Sequence, residues 1–178
     1  EDKDNTLEKG AFMLTDIETD MLRLVRENFQ KMVVLLNVGG LIDMSFLDTI
    51  SPDACLYVWQ GGMESGNAVA DLLCGKVSPS GCLSDTIAKG YENYPSNNNF
   101  ADKKRNIYEE DIFVGYRYFE TFAKDKVLYP FGYGLSYTDF DIDLIKSDAD
   151  ENGFSFTLSV KNTGERSGKK AVQLYISK

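Results

Sequence analysis

Histidine is absent from all 178 residues. With it go the Ser-His-Asp and Cys-His nucleophilic arrangements and the commonest transition-metal ligand, so acid–base chemistry must rest on carboxylates, lysine or tyrosine. Cysteine is scarce, with three in the chain. Cys55 stands inside an apolar run, Cys74 and Cys82 flank "GKVSPSG", and an odd total without C-x-x-C spacing argues against a disulfide framework or a zinc site. Reduced thiols suit a cytoplasmic setting, with Cys55 as a small core residue. No metal and no cofactor are expected. Long apolar runs are also missing, the nearest approach being "MVVLLNVGGLI", too short to span a bilayer. The start "EDKDNTLEKG" is acidic and polar, the reverse of a secretory or transit signal. Positive charge is in deficit: 19 Lys and Arg face 28 Asp and Glu, for a net charge of −9. That balance offers no clustered basic surface, and nucleic acid is excluded as a partner.

What is present reads as a folded chain, since 43% apolar residues exceed what a disordered segment carries. Thr15 followed by Glu18 is a capping-box signature, and Ile17, Met21, Leu24, Val25 and Phe29 then recur at helical spacing, predicting a helix that buries this stripe. "KMVVLLNVGG" predicts a strand buried on both faces, "DMSFLDTI" a short helical turn starting at Asp43, "ACLYVWQGG" a second strand with a glycine pair. "MESGNAVADLLCG" predicts a helix with Val69, Leu72 and Leu73 inward and Gly75 as its stop. Strand, glycine turn and helix, twice over, is the arithmetic of a parallel sheet with crossover helices.

In such sheets the loops leaving the carboxyl ends of strands form the binding crevice. Here these are "NVGGLID" and "WQGGMESG". Gly39, Gly40, Gly61 and Gly62 read first as tight strand-to-helix turns and second as a close-approach surface for a ligand; neither glycine pair matches a nucleotide motif. Glu64 reads first as a helix N-terminal acid and second as a ligand contact. Residues 78–102 are rich in Ser, Asn, Gly and Pro, with "CLSDTI" as a short strand before a long loop. Residues 106–140 are aromatic throughout, ending in "YPFGYGLSYTDF". Beyond Thr138 the period changes to two. "DFDIDLIKSD", "GFSFTLSVKNTG" and "KKAVQLYISK" predict three antiparallel strands with one apolar face, an incomplete β-sandwich.

"VVLLNVGG", "VWQGGMESGNAVADLLCGKVSPSGCLSDTIAK", "YEEDIFVGYRYFE", "YPFGYGLSYTDF" and "VKNTGERSGKKAVQLYIS" resemble, in order and spacing, the second catalytic domain of bacterial family-three glycoside hydrolases of the β-glucosidase type, running into their fibronectin type III-like domain. The resemblance implies an α/β fold, a three-layer α/β/α sandwich with a mainly parallel sheet over 1–137, followed by the truncated strands of a fibronectin type III-like β-sandwich over 138–178. It implies a retaining reaction on a terminal β-D-glucosyl residue. An aspartate nucleophile from a (β/α)8-type barrel and a glutamate acid/base from this domain would stand about 5 Å apart across the glycosidic bond. The β-linked glucoside and the barrel of the same parent chain are then the partners, and this chain alone is expected to be inactive. Reading Asp2 and Lys3 as the trailing residues of the family's acid/base loop puts the glutamate just upstream of residue 1; an ungapped count back from "KGAFMLTD" puts it at Glu1. By the same resemblance "YPFGYGLSYTDF" links the two domains, packing as a hinge in preference to touching substrate. Loss of the barrel would expose aromatic surface around Tyr116, Tyr118 and residues 129–137, favouring self-association. The alternative is a non-catalytic carbohydrate-binding or assembly module.

Overall fold

A computed structural model of the chain describes residues 8–99, 104–105, 107–151 and 153–175. They divide into two compact units, described separately: the described residues of Glu1–Gly62 and Leu83–Tyr133, and Met63–Cys82 with the described residues of Gly134–Lys178.

The first unit is built on the predicted alternation of helix and strand. Helix α1 (Asp16–Asn28) starts at Thr15, whose side chain accepts from the Glu18 N–H while the Glu18 carboxylate accepts from the Thr15 N–H at 2.8 Å. The predicted capping box is therefore present, and the bonds the Glu18 carboxylate accepts from the Thr15 N–H first and the Thr15 hydroxyl second hold it below its usual range. Strands β1 (Val33–Leu36) and β2 (Ala54–Tyr57) pair in parallel, with Val34 opposite Cys55 and Leu36 opposite Tyr57. Between them lies α2 (Phe46–Ile50), entered through Asp43, whose carboxylate accepts from the Ser45 N–H. The core joins Leu22 of α1, Val34 and Leu36 of β1, Phe46 and Ile50 of α2, and Ile87, with Cys55 and Tyr57 packed at its edge. Cys55 is thus a core thiol, and burial pushes it up to about 11.

Two predicted faces are corrected. Of the stripe assigned to α1, Ile17, Met21, Leu24 and Phe29 are exposed; the buried residue is Leu22, with Val25 half-buried. Strand β1 is buried on one face only, Val33 and Leu35 being 46% and 42% exposed. Within this unit the core gathers Leu22 of α1 with Val34 and Leu36 of β1, one set of side chains from each element.

Asp53 ties the helix to the sheet. Its carboxylate accepts from the Met32 N–H at 2.8 Å and from Arg26 at 3.0 Å, and these contacts, the backbone bond first, lower its pKa from 3.8. A depressed carboxylate contributes stability that is present above its unfolded pKa and lost as pH falls through the folded value. Acid unfolding followed by circular dichroism will therefore show a fall beginning near pH 4, and Asp53→Asn will be less stable at neutral pH with a shallower loss below pH 4. Superimposable acid limbs would refute the role.

The remainder of this unit holds an antiparallel pair, β3 (Ile87–Ala88) with β4 (Val127–Tyr129), and helix α4 (Tyr116–Phe122). The strand predicted over "CLSDTI" is shorter and later than expected. Phe119, 1% exposed, centres a second cluster with Ala88 and Ala123.

In the second unit, α3 (Ser65–Leu73) ends at Gly75 as predicted: the Gly75 N–H donates to Leu72 O and the Lys76 N–H to Asp71 O, with Gly75 at φ +70°. Its inward set is weaker than expected, since Val69 and Leu72 are half-buried and Leu73 is exposed. Strands β5 (Phe140–Asp150) and β6 (Gly153–Asn162) form the predicted hairpin, with Ile142 opposite Val160 and Leu144 opposite Leu158. Ile145 interrupts the register as a bulge. The third predicted strand, over 169–178, is not formed in its described part, residues 169–175.

Candidate functional site

The carboxyl ends of β1 and β2 lie side by side because the strands are parallel and in register. Three contacts shape what leaves them. The Tyr57 hydroxyl donates to the Gly40 carbonyl at 2.6 Å, latching the loop after β1 to the end of β2. Burial pushes Tyr57 up to about 12, so it remains a donor through the physiological range. The Trp59 ring packs on Tyr57 with centroids 4.5 Å apart, and Trp59 holds a left-handed φ of +57°. For a bulky residue that conformation is strained and is sustained by its surroundings, a pattern that concentrates at functional sites. Gly39 faces the Gln60 side chain so closely that an added Cβ would meet Nε2 at 2.6 Å, whereas a Cβ at Gly40 or Gly62 would meet open space. Nε2 is the tip of a flexible, exposed side chain that can turn aside, so close approach is required at none of these three glycines.

The segment downstream of the predicted acid/base position is fixed to this same edge. The Phe12 carbonyl accepts from the Asp43 N–H at 2.8 Å, in the loop that follows β1. The Phe12 ring meets Tyr91 and Tyr94 at 5.4 and 6.0 Å, and the Tyr94 hydroxyl accepts from the Ala88 N–H at 3.0 Å. Burial raises the Tyr94 pKa. Sequence reasoning missed both the Tyr57–Gly40 latch and the Phe12 anchor. The signal for the first was a tyrosine two residues before a tryptophan at a strand end; the second had none, because Tyr91 and Tyr94 are remote in sequence. Glu1, the predicted acid/base candidate, lies outside the described residues.

Glu64, in the second unit, occupies the N-cap of α3 and accepts from Asn67 Nδ2 at 2.5 Å, an engagement within its own helix turn. The aromatic stretch 129–140 is accounted for by packing within each unit. In the first, Phe131 stacks on Tyr116 at 4.8 Å, Tyr129 meets Tyr133 at 5.0 Å, and Leu83 exchanges backbone bonds with Gly132 and Tyr133. In the second, the Tyr137 hydroxyl donates to Leu72 O at 3.0 Å, Arg166 lies over the Tyr137 ring, and a Cβ on Gly134 would strike the Gly81 carbonyl at 2.8 Å. Among the described residues, no group of three acidic, cysteine or histidine residues is placed to hold a metal ion, and no helix is long and apolar enough to cross a membrane.

The description of the family whose model matches residues 2–137 is the glycosyl hydrolase family 3 C-terminal domain. The chain belongs to this family. Beta-glucosidases are among its near relatives: the chain is 55% identical over 176 residues to a beta-glucosidase of Ruminococcus albus, covering 99% of this chain and 18% of that one. It is 47% identical over 189 residues to beta-glucosidase A of Butyrivibrio fibrisolvens, covering 94% of this chain and 22% of the relative. Among solved structures it resembles a beta-glucosidase of Paenibacillus barengoltzii at a TM-score of 0.87 and 50% identity, covering 94% of this chain and 19% of that one. It also resembles beta-glucosidase 3B of Thermotoga neapolitana in complex with α-D-glucose, at a TM-score of 0.83 and 39% identity over 92% of this chain and 24% of that one. The chain thus spans about a fifth of the length of the curated relatives it matches. The α/β fold of this family is the one predicted from the sequence.

Proposed function

We propose that this chain is the acid/base half of a retaining β-glucosidase cleft, completed by a (β/α)8-type barrel that brings the aspartate nucleophile. The observation that carries the reading is the similarity of almost the whole chain to a fifth of several beta-glucosidases. The edge formed by the Tyr57–Gly40 latch and the Phe12–Asp43 bond supports it physically, because it ties the residues following the acid/base loop to the crevice end of a parallel sheet. In this reading the domain boundary falls between 137 and 138, residues 138–178 are the opening strands of a fibronectin type III-like module, and the protein works in the cytoplasm. The substrate is a terminal β-D-glucoside, protonated at its departing oxygen by a glutamate at or just before residue 1.

Mixing the chain, extended upstream through its acid/base loop, with a separately expressed barrel and assaying an aryl β-glucoside tests the reading. Recovery of activity on mixing is the expected result; no recovery, with tight oligosaccharide binding by the chain alone, would replace it with the carbohydrate-binding module.

Missing neighbours also bear on self-association. Leu144, Leu158, Val160 and Phe154 lie on the β5–β6 ribbon with 59%, 39%, 47% and 70% exposure, and a two-stranded ribbon is marginal alone. Sedimentation velocity should show the mass rising with concentration, and Leu144→Lys with Leu158→Lys should hold it at that of a monomer. A monomer at all concentrations would contradict this.

A further inference from the structure

Backbone strain in the first unit singles out one ring. Of the three non-glycine residues at positive φ among the described ones, Ser51 closes helix α2 and Asp111 is of a type that tolerates the left-handed region; Trp59 does neither. It is the one tryptophan of the chain, and it stands just beyond β2 at φ +57°. The turn lays its ring against Tyr57 at 4.5 Å and 50°, and the residue stays half-buried, so the ring is held in place and still reached by solvent. Gln60 follows, exposed, its side chain reaching the loop after β1: Nε2 lies 2.6 Å from where a Cβ on Gly39 would stand. Among the described residues neither the indole N–H nor the Gln60 amide has a hydrogen-bond partner, and no buried side-chain nitrogen or oxygen is left unpaired, so both groups face solvent. Strain kept at a position that leaves polar groups free is a mark of a binding site.

We propose that the Trp59 ring and the Gln60 amide form a platform for a β-linked glucose ring, so that the cleft takes oligosaccharides in preference to simple alkyl glucosides; the preference rests on the cleft reading above. The hydroxyls of β-glucopyranose are equatorial, which leaves C–H groups on both faces of the ring. Such a face loses water favourably against a flat indole. Around the rim each hydroxyl both donates and accepts. The indole supplies a donor and the glutamine amide a donor and an acceptor, the mixture that rim needs. A charged ligand finds no counter-charge in either group. A nucleotide base also stacks on an indole, but the net charge of −9 repels its phosphates. The position fits as well: both residues leave the carboxyl end of a parallel strand, the edge at which such sheets bind ligands.

The test is a titration of the 15N-labelled chain with cellobiose, following the single indole N–H resonance, with sorbitol as an open-chain polyol that has no stacking face. Cellobiose should shift the indole signal and the Gln60 amide, saturating on the order of millimolar, as suits one stacked ring. Sorbitol should leave both in place. Trp59→Ala should weaken binding, read at Gln60, about tenfold through the lost ring area. Trp59→Phe, which keeps a ring and loses the donor, and Gln60→Ala should each weaken it severalfold, with the rest of the spectrum retained. In the enzyme reconstituted from the barrel and the upstream-extended chain, Trp59→Ala should raise KM for cellobiose about tenfold and leave KM for methyl β-glucoside unchanged. A still indole signal, equal shifts with sorbitol, undiminished binding by Trp59→Ala, or equal rises in both KM values would each overturn the proposal. The titration needs neither barrel nor acid/base. Its failure beside a successful reconstitution removes the platform alone; its success beside a failed one removes the cleft, and with it the oligosaccharide preference, and keeps the platform.

Discussion

Alone, this chain should release phenol from an aryl β-glucoside no faster than buffer, and its effect on a separately made barrel should depend on the leaving group. The barrel with its nucleophile attacks the anomeric carbon unaided when the departing group is a good one, such as dinitrophenolate. A poor leaving group needs its oxygen protonated as the bond breaks. General acid catalysis of that kind is worth ~10²–10⁴-fold. Adding the chain, extended upstream through its acid/base loop, should therefore raise the rate on a simple alkyl or phenyl glucoside by about that factor while changing the first turnover of the dinitrophenyl glucoside little. Steady-state and burst kinetics on the two substrates measure it. Equal acceleration of both would mean that the chain merely stabilises the barrel.

The largest expected stability effect is at Phe119. The ring is 1% exposed and is met edge-on by Tyr94 at 5.8 Å and Tyr118 at 5.3 Å. Truncation to alanine removes the ring's burial and leaves a cavity between α4 and the β3–β4 pair, a loss of about 3–5 kcal/mol, against about 5–15 kcal/mol for a whole domain. Phe119→Ala should lower the unfolding free energy of the first unit, measured by denaturant titration, by that amount. It should also loosen the Phe12 segment, because Tyr94 packs on both rings. A loss under about 1 kcal/mol would show that the cluster collapses into the gap.

Local elements were legible where the determinants are local. The capping box at Thr15 and Glu18, the glycine stop at Gly75 and the β5–β6 hairpin all stand where their residues place them. Which faces are covered was not legible. Helix α1 carries one apolar set through Ile17, Met21 and Leu24 and another through Leu22 and Val25; the period announces a helix, and only the neighbours decide which set is buried. Residues 169–175 show the converse: Val172 and Leu174 alternate as a strand would, but alternation describes a face and supplies no partner. At the candidate site, the glycine loops marked the crevice edge. The Tyr57 latch and the Phe12 anchor arise from contacts between segments 17 to 82 residues apart, which no local pattern encodes.

The most direct test of the two-part cleft is the lifetime of the covalent glucosyl-barrel formed from dinitrophenyl β-glucoside, followed by intact-protein mass spectrometry. In a retaining reaction the same glutamate that protonates the leaving group then activates the water that frees the sugar. Adding this chain, extended upstream through its acid/base loop, should shorten the lifetime of the adduct by orders of magnitude. An unchanged lifetime, with chain and barrel bound to one another, would contradict the assignment of the acid/base to this half.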